Sequence, residues 1–180
     1  MHGKKDFFMK NIGKNFAIGT ASVKGSFKLD GKKYETTEKF EALLETLKLD
    51  GRTGLFYIDN DGKVAGVTLS GARLIKNIET PRFNGEGTFR ADYLVVIGTA
   101  CNLKEGRPFR FSVATKSEEK SDKPAFYEIK VWDDLVEKVS IELAVPDGEK
   151  KPLIWAVARK GVYKDREQYT LEDYGIIPRE

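Results

Sequence analysis

The chain has 180 residues, of which 40% are hydrophobic and 33% are charged, and its formal net charge is +3. This composition is typical of one or two small globular domains, and no apolar run approaches the ~20 residues of a membrane helix. We therefore expect no membrane role, and because the patch Phe7–Met9 is too short for a secretory signal, we expect a cytoplasmic protein.

The first half is predicted to contain strands and one helix. Residues 15–25 and 26–34 have strand composition, with Asp30-Gly31 as a hairpin turn. Two further strands, at 55–58 and 63–69, are joined by a second hairpin turn at 59–62. The helix is predicted over 37–49, where i, i+3, i+4, i+7 spacing gives one apolar stripe. Its members are Phe40, Leu43, Leu44 and Leu47.

A cluster of turn-forming residues at 80–87, with two glycines, a proline and an asparagine, predicts a linker. We accordingly divide the chain into an accessory α+β module (1–79), a linker (80–90) and a second domain (91–180). Five strands are predicted in that domain, at 93–99, 107–116, 125–132, 153–163 and 168–177, with one helix at 133–144 after the third. This is the order of elements in an OB barrel. The predicted fold class is therefore mainly β with minor α.

A short internal similarity bears on the first half. Residues 17–21 (AIGTA) resemble residues 96–100 (VIGTA), and each run begins a candidate domain. A duplication would explain the match, although the predicted helix of the first half follows two strands rather than three. Residues 1–79 are therefore interpreted as an α+β module or a degenerate second OB-fold.

Alternation assigns two faces to the third strand of the second domain, because successive side chains of a strand point in opposite directions. Tyr127, Ile129 and Val131 form the inward set. Phe126, Lys130 and Trp132 then point outward, where two large rings beside a lysine are poorly explained by core packing. The same surface is predicted to include Arg110 and Lys116 on the second strand, Arg159 and Tyr163 on the fourth, and Lys164 and Arg166 at its tip.

Aromatic rings stack on bases, and Lys or Arg neutralise phosphates, so interleaving them favours binding of single-stranded nucleic acid without sequence preference. Acidic and basic residues nearly balance in the second half, so such binding depends on local placement of charge. The same aromatics would also suit a protein-interaction or oligomerisation module, such as a virion or conjugation component. Single-stranded RNA is a further alternative to DNA.

The second half resembles the bacterial-type single-stranded DNA-binding proteins over residues of about 93–177. The resemblance runs through LVVIG at 94–98, FSVAT at 111–115, YEIKVW at 127–132, VARKGVY at 157–163 and YTLE at 169–172. It implies that Phe126, Trp132 and Tyr163 are the stacking aromatics. It also implies a homo-oligomer that acts in DNA replication, recombination or repair, in a bacterial or phage-infected cell.

Groups for catalysis are scarce. Cys101 is the single cysteine and His2 the single histidine, so neither a disulfide nor a common metal site can be built from them. Residues 85–87 (GEG) match the start of a glycine-rich phosphate-binding motif, but the last glycine of that motif is missing. Residues 59–62 match the start of a calcium-binding loop, but the carboxylate that would close the loop is missing. We therefore expect no enzyme activity, cofactor, metal or small-molecule substrate.

Overall fold

The computed structural model describes residues 15–82, 85–115, 125–132, 134–146 and 148–177. These residues form eleven strands and two short helices, so the predicted mainly β fold class is confirmed. The chain divides into two compact units, the first ending at Leu69 and the second beginning at Ser70.

The first unit is a five-stranded sheet with one helix. Its elements are β1 (Phe16–Ser22), β2 (Lys28–Leu29), β3 (Lys32–Lys33), α1 (Glu38–Leu43), β4 (Thr53–Ile58) and β5 (Val64–Thr68). The strand order is β3-β2-β1-β4-β5, with antiparallel neighbours. A parallel bridge between Thr36 and Val64 joins the two ends of this sheet. Phe27, Phe40 and Phe56 form its core through edge-to-face contacts with centroids 5.6–6.4 Å apart.

Two details of the first unit correct the sequence prediction. Residues 26–34 hold two short strands, because Asp30 (φ 49°) and Gly31 (φ 85°) form a hairpin turn within them; the helix thus follows three strands. That helix also ends at Leu43, well before residue 49, and turns follow until Leu49. Leu43 is consequently 43% exposed and outside the buried stripe, while Leu49 fills the core.

The second unit contains a closed barrel. Its elements are β6 (Gly71–Pro81), β7 (Thr88–Lys104), β8 (Phe109–Thr115), β9 (Ala125–Val131), α2 (Asp134–Glu142), β10 (Leu153–Tyr163) and β11 (Arg166–Ile177). Strands β7-β8-β9-β11-β10 follow one another, and β10 pairs back with β7. Strand β11 is parallel to β9, and the helix follows the third barrel strand. These are the elements of an OB barrel in the predicted order.

The barrel interior is filled by alternate side chains of its strands. Phe109, Phe111 and Val113 of β8 are buried, as are Ile129 and Val131 of β9. Tyr127 is half-buried against the same core. Strand β10 and helix α2 complete this core with Ile154, Ala156, Ala158, Val139 and Leu143.

The segment predicted as a linker is instead part of a hairpin. Strand β6 pairs with β7, from Gly71 opposite Ile97 to Pro81 opposite Thr88. Gly85 and Gly87, between the two strands, have positive φ. Pro and Gly mark hairpin turns as well as linkers, and proline is tolerated at the end of an edge strand, so composition alone misassigned residues 80–90. The boundary between the compact units lies about ten residues earlier.

Both units share one pairing scheme. In the first unit, β1 pairs with β2 and β4, and a parallel bridge joins Thr36, which follows β3, to β5. In the barrel of the second unit, β7 pairs with β8 and β10, and β9 pairs in parallel with β11. Gly19 and Gly98, the glycines of the AIGTA and VIGTA runs, occupy the first strands. At Gly98, the carbonyl oxygen of Ala114 on β8 fills the space that a Cβ would need. The glycine thus allows two strands to approach closely.

Candidate nucleic-acid interface

The outward face of β9 carries two exposed rings on either side of a lysine. Phe126 is 58% exposed and Trp132 is 48% exposed, while Lys130 lies between them on the same face. Their neighbours Ile129 and Val131 are fully buried, so alternation along the strand orients all three. Both rings are therefore open to solvent on the outward face of β9.

Strand register brings the predicted cations into one row across the barrel. Arg110 of β8 pairs with Lys130 of β9, Lys130 pairs with Thr170 of β11, and Thr170 pairs with Arg159 of β10. Paired residues lie on the same face, and neighbouring strands are ~4.8 Å apart. Three cations from three different strands thus form a continuous line on the outer surface. We call this line the cation row.

Two members of the cation row have carboxylate partners. Arg110 lies 3.6 Å from a carboxylate oxygen of Glu128, and Arg159 lies 3.5 Å from one of Glu172. The Arg110–Glu128 pair is exposed on both sides, and such pairs contribute about 0–1 kcal/mol, so a phosphate can compete for that guanidinium. In the second pair Glu172 is the less exposed partner, at 19%. Lys130 makes no ion pair within the described parts of the chain. A phosphate can therefore bind its ammonium group without displacing a carboxylate from those parts of the chain.

The β10–β11 hairpin extends the surface beyond the barrel. Lys164 and Asp165 have φ of 49° and 62° and form a two-residue turn, with Tyr163 paired to Arg166. Tyr163 is 59% exposed, and the Lys164 ammonium lies 5.4 Å from its ring centroid. The strand irregularity lies at Val157/Ala158, so Tyr163 keeps the face of Arg159.

The other face of this hairpin carries a separate ion pair. The Lys160 ammonium lies 3.0 Å from a carboxylate oxygen of Glu167, and this hydrogen bond raises the pKa of Lys160. Lys160 is thereby engaged away from the face of Arg159 and Tyr163. Of the remaining predicted residues, Lys116 and the loop that follows it lie outside the described residues.

Sequence reasoning missed one aromatic–cation cluster. The Phe89 ring has the guanidinium carbon of Arg82 at 5.8 Å and that of Arg159 at 5.9 Å from its centroid. Assigning residues 80–90 to a linker hid Arg82 and Phe89. The available signal was alternation, since Phe89 and Tyr93 lie on one face of a strand that begins at Thr88.

The structure offers few groups for chemistry. Burial raises the pKa of the Cys101 thiol, which disfavours the reactive thiolate. Across the described residues, no cluster of three or more His, Cys, Asp or Glu could hold a metal ion. The same residues contain no helix with the length and apolar character needed to cross a membrane.

Comparison with known proteins gives only a partial match. No family model matches the chain, and neither does any curated protein sequence. Two crystal structures of Rim1, the mitochondrial single-stranded DNA-binding protein from S. cerevisiae, align with 13% identity and TM-scores of 0.39 and 0.41. They cover 49% and 51% of this chain and 96% and 100% of the Rim1 chains. These alignments span about half of the chain, and the resemblance to the bacterial type stays a prediction.

Proposed function

We propose that this protein binds single-stranded DNA, with little dependence on base sequence, on the outer surface of the second unit. One observation carries the proposal: exposed Phe126 and Trp132 flank Lys130, and Lys130 is in register with Arg110 and Arg159. Unstacked bases need ring faces and phosphates need cations, and this surface offers both side by side.

The energetic cost of leaving Phe126 and Trp132 exposed favours a role for these rings in ligand binding. Fully burying a large apolar side chain is worth about 1.5–3 kcal/mol, so leaving Phe126 and Trp132 half exposed forgoes a sizeable part of it. Stacking a base on such a ring returns about 1–3 kcal/mol. Because every base has an aromatic face, the contact does not select sequence. The proposed role is non-catalytic and cytoplasmic, in replication, recombination or repair, by a homo-oligomer.

We further propose that the first unit is a second, degenerate OB-type domain. The shared strand pairing and the similar runs at 17–21 and 96–100 support a duplication. Its second and third strands present the cross-strand pair Lys28–Lys33, both exposed. Within the described residues of this pair of strands no exposed aromatic accompanies the lysines, so it would contact phosphates without stacking bases.

A protein-interaction role is the alternative, and one observation favours it. Val162 at the tip of the β10–β11 hairpin is 71% exposed beside Tyr163, and an apolar tip suits an interface as well as a nucleic acid. Salt dependence separates the two functions, since only phosphate binding weakens steeply as salt rises.

The test is fluorescence anisotropy of a labelled oligothymidine titrated with the protein over a series of salt concentrations. Three contacts from the cation row predict a slope of log affinity against log salt of about −2, at roughly −0.7 per contact for single strands. A fourfold rise in salt should then weaken binding about twentyfold. Duplex DNA of the same length is the control, and an RNA oligonucleotide as competitor tests DNA preference. Absence of binding at low salt would refute the proposal.

A further inference from the structure

Two hairpin arms extend from one side of the barrel. Strands β7 and β10 pair as far as Tyr93 of β7, which lies opposite Arg159 of β10. Beyond that pair, β7 continues back to Thr88 with β6 as its partner, and β10 continues to Tyr163 with β11 as its partner. The pairing between the two arms therefore stops at Arg159, and we call the region between them beyond that point the arm cleft.

One face of both arms carries the aromatic–cation cluster. Phe89 and Tyr93 alternate onto the face of β7 that Arg159 occupies on β10, and Tyr163 shares that face. The Arg159 guanidinium reaches across the base of the arm cleft to within 5.9 Å of the Phe89 centroid. Arg82, at the end of the β6–β7 arm, lies on the same ring at 5.8 Å.

The Arg82 guanidinium is positioned to bind an anion. Arg82 is exposed and has no acidic partner in the described parts of the chain, while its backbone N–H donates to the Gly87 carbonyl at 3.1 Å. A guanidinium held over an aromatic ring keeps its N–H edges available, and those edges match the geometry of a phosphate. Arg159 is less exposed than Arg82 and shares its charge with Glu172.

The β6–β7 arm is anchored to the barrel by a buried hydrogen bond. The hydroxyl groups of Thr80 and Tyr93 lie 2.9 Å apart, and both residues are buried. Burial raises the pKa of Tyr93, so its hydroxyl stays protonated and able to make this bond. The arm thus holds Phe89 and Arg82 in place before any ligand arrives, which lowers the entropic cost of binding.

We propose that the β6–β7 arm forms a second wall of the single-strand binding site, with Arg82 and Arg159 contacting phosphates of a strand that runs along the cation row into the arm cleft. The cation row leads there directly, because Arg159 belongs to both. This inference rests on the proposed function and adds residues 71–92, which lie outside the resemblance at 93–177. Phe89 acts as a positioning residue that holds the two guanidinium groups over one ring.

The test compares Arg82→Ala with Arg90→Ala. Arg90 is the matched control: it lies beside Phe89 but on the opposite face of β7, where its guanidinium donates to the Asn77 carbonyl at 2.8 Å. Affinity is measured by anisotropy for an oligothymidine of about 30 nucleotides and for one of about 8, lengths above and within the ~4–16 nucleotides that one OB fold binds.

Arg82→Ala should weaken binding of the longer strand about fivefold to tenfold and make its salt slope less steep by about 0.7, the change expected for one lost phosphate contact. Binding of the shorter strand, and both affinities of Arg90→Ala, should stay within twofold of wild type. Equal losses in the two variants would indicate bulk charge and overturn the proposal, as would an unchanged Arg82→Ala. If the wild type binds neither strand, the proposed function itself fails.

Discussion

Removal of the exposed rings of β9 is the sharpest perturbation of the proposed site. About half of each ring is open to a base, since Phe126 is 58% exposed and Trp132 is 48% exposed. The lower half of the stacking range, about 1.5 kcal/mol, then applies to each, which corresponds to roughly tenfold in affinity. The two positions are six residues apart, or ~20 Å along a strand, too far to couple directly. Phe126→Ala and Trp132→Ala should each weaken oligothymidine binding about tenfold, and the double variant about a hundredfold.

Anisotropy of a labelled oligothymidine measures these affinities, and tryptophan fluorescence adds an independent readout. Trp155 is buried, so quenching on addition of DNA should come from Trp132. Trp132→Phe keeps a stacking ring and should retain most of the affinity while losing the quench. Ile141→Ala is the control, because Ile141 is an exposed apolar residue, at 69%, on α2.

Thermal unfolding of each variant separates binding from folding. The half-exposed rings add little to the core, so each alanine variant should lose no more than about 1 kcal/mol of stability. Should Phe126→Ala and Trp132→Ala both fold normally and bind within twofold of wild type, the rings do not stack on bases. The reasoning from exposure to binding would then be refuted.

Three further outcomes follow from the structure. Lys130→Ala should reduce the steepness of the salt slope of oligothymidine binding by about 0.7, because it removes one phosphate contact from the cation row; an unchanged slope would contradict that contact. Gly98→Ala should destabilise the protein by roughly 1–3 kcal/mol in urea unfolding, since its Cβ meets the Ala114 backbone oxygen. Gly19→Ala should cost clearly less, because its Cβ meets side-chain atoms, the nearest being an Asp30 carboxylate oxygen at 3.1 Å, and no backbone atom. Burial raises the pKa of Cys101, so less thiolate is present at a given pH, and a thiol reagent should modify the native protein far more slowly than the unfolded chain.

Alternation and turn chemistry predicted the elements that local sequence controls. Strand β10 has the predicted bounds, and β9 differs by one residue at its end; along β9, buried residues alternate with less buried ones from Glu128 to Val131. The turn at Asp30-Gly31 was also predicted correctly, since both residues accept positive φ. The helix at 37–49 was overextended, because an apolar stripe does not show where the backbone leaves the helix. The pairing of β6 with β7 was missed, since it depends on contacts that a linear pattern does not contain.

The same distinction explains which parts of the candidate site were accessible from sequence. Strand alternation identified Phe126, Lys130 and Trp132, because one strand determines their common face. The cation row could not be predicted from one strand, because Lys130 is connected to Arg159 only through Thr170, which pairs with both residues. The pairing of Lys130 with Thr170 is the parallel contact that closes the barrel. The role of Arg82 could be recognised only from the tertiary structure, because Phe89 and Arg159 belong to two different hairpins that come together at that point. A single-strand site of this kind is a property of barrel closure, so Gly98→Ala, which strains the β7–β8 contact, should reduce DNA affinity as well as stability although Gly98 is buried.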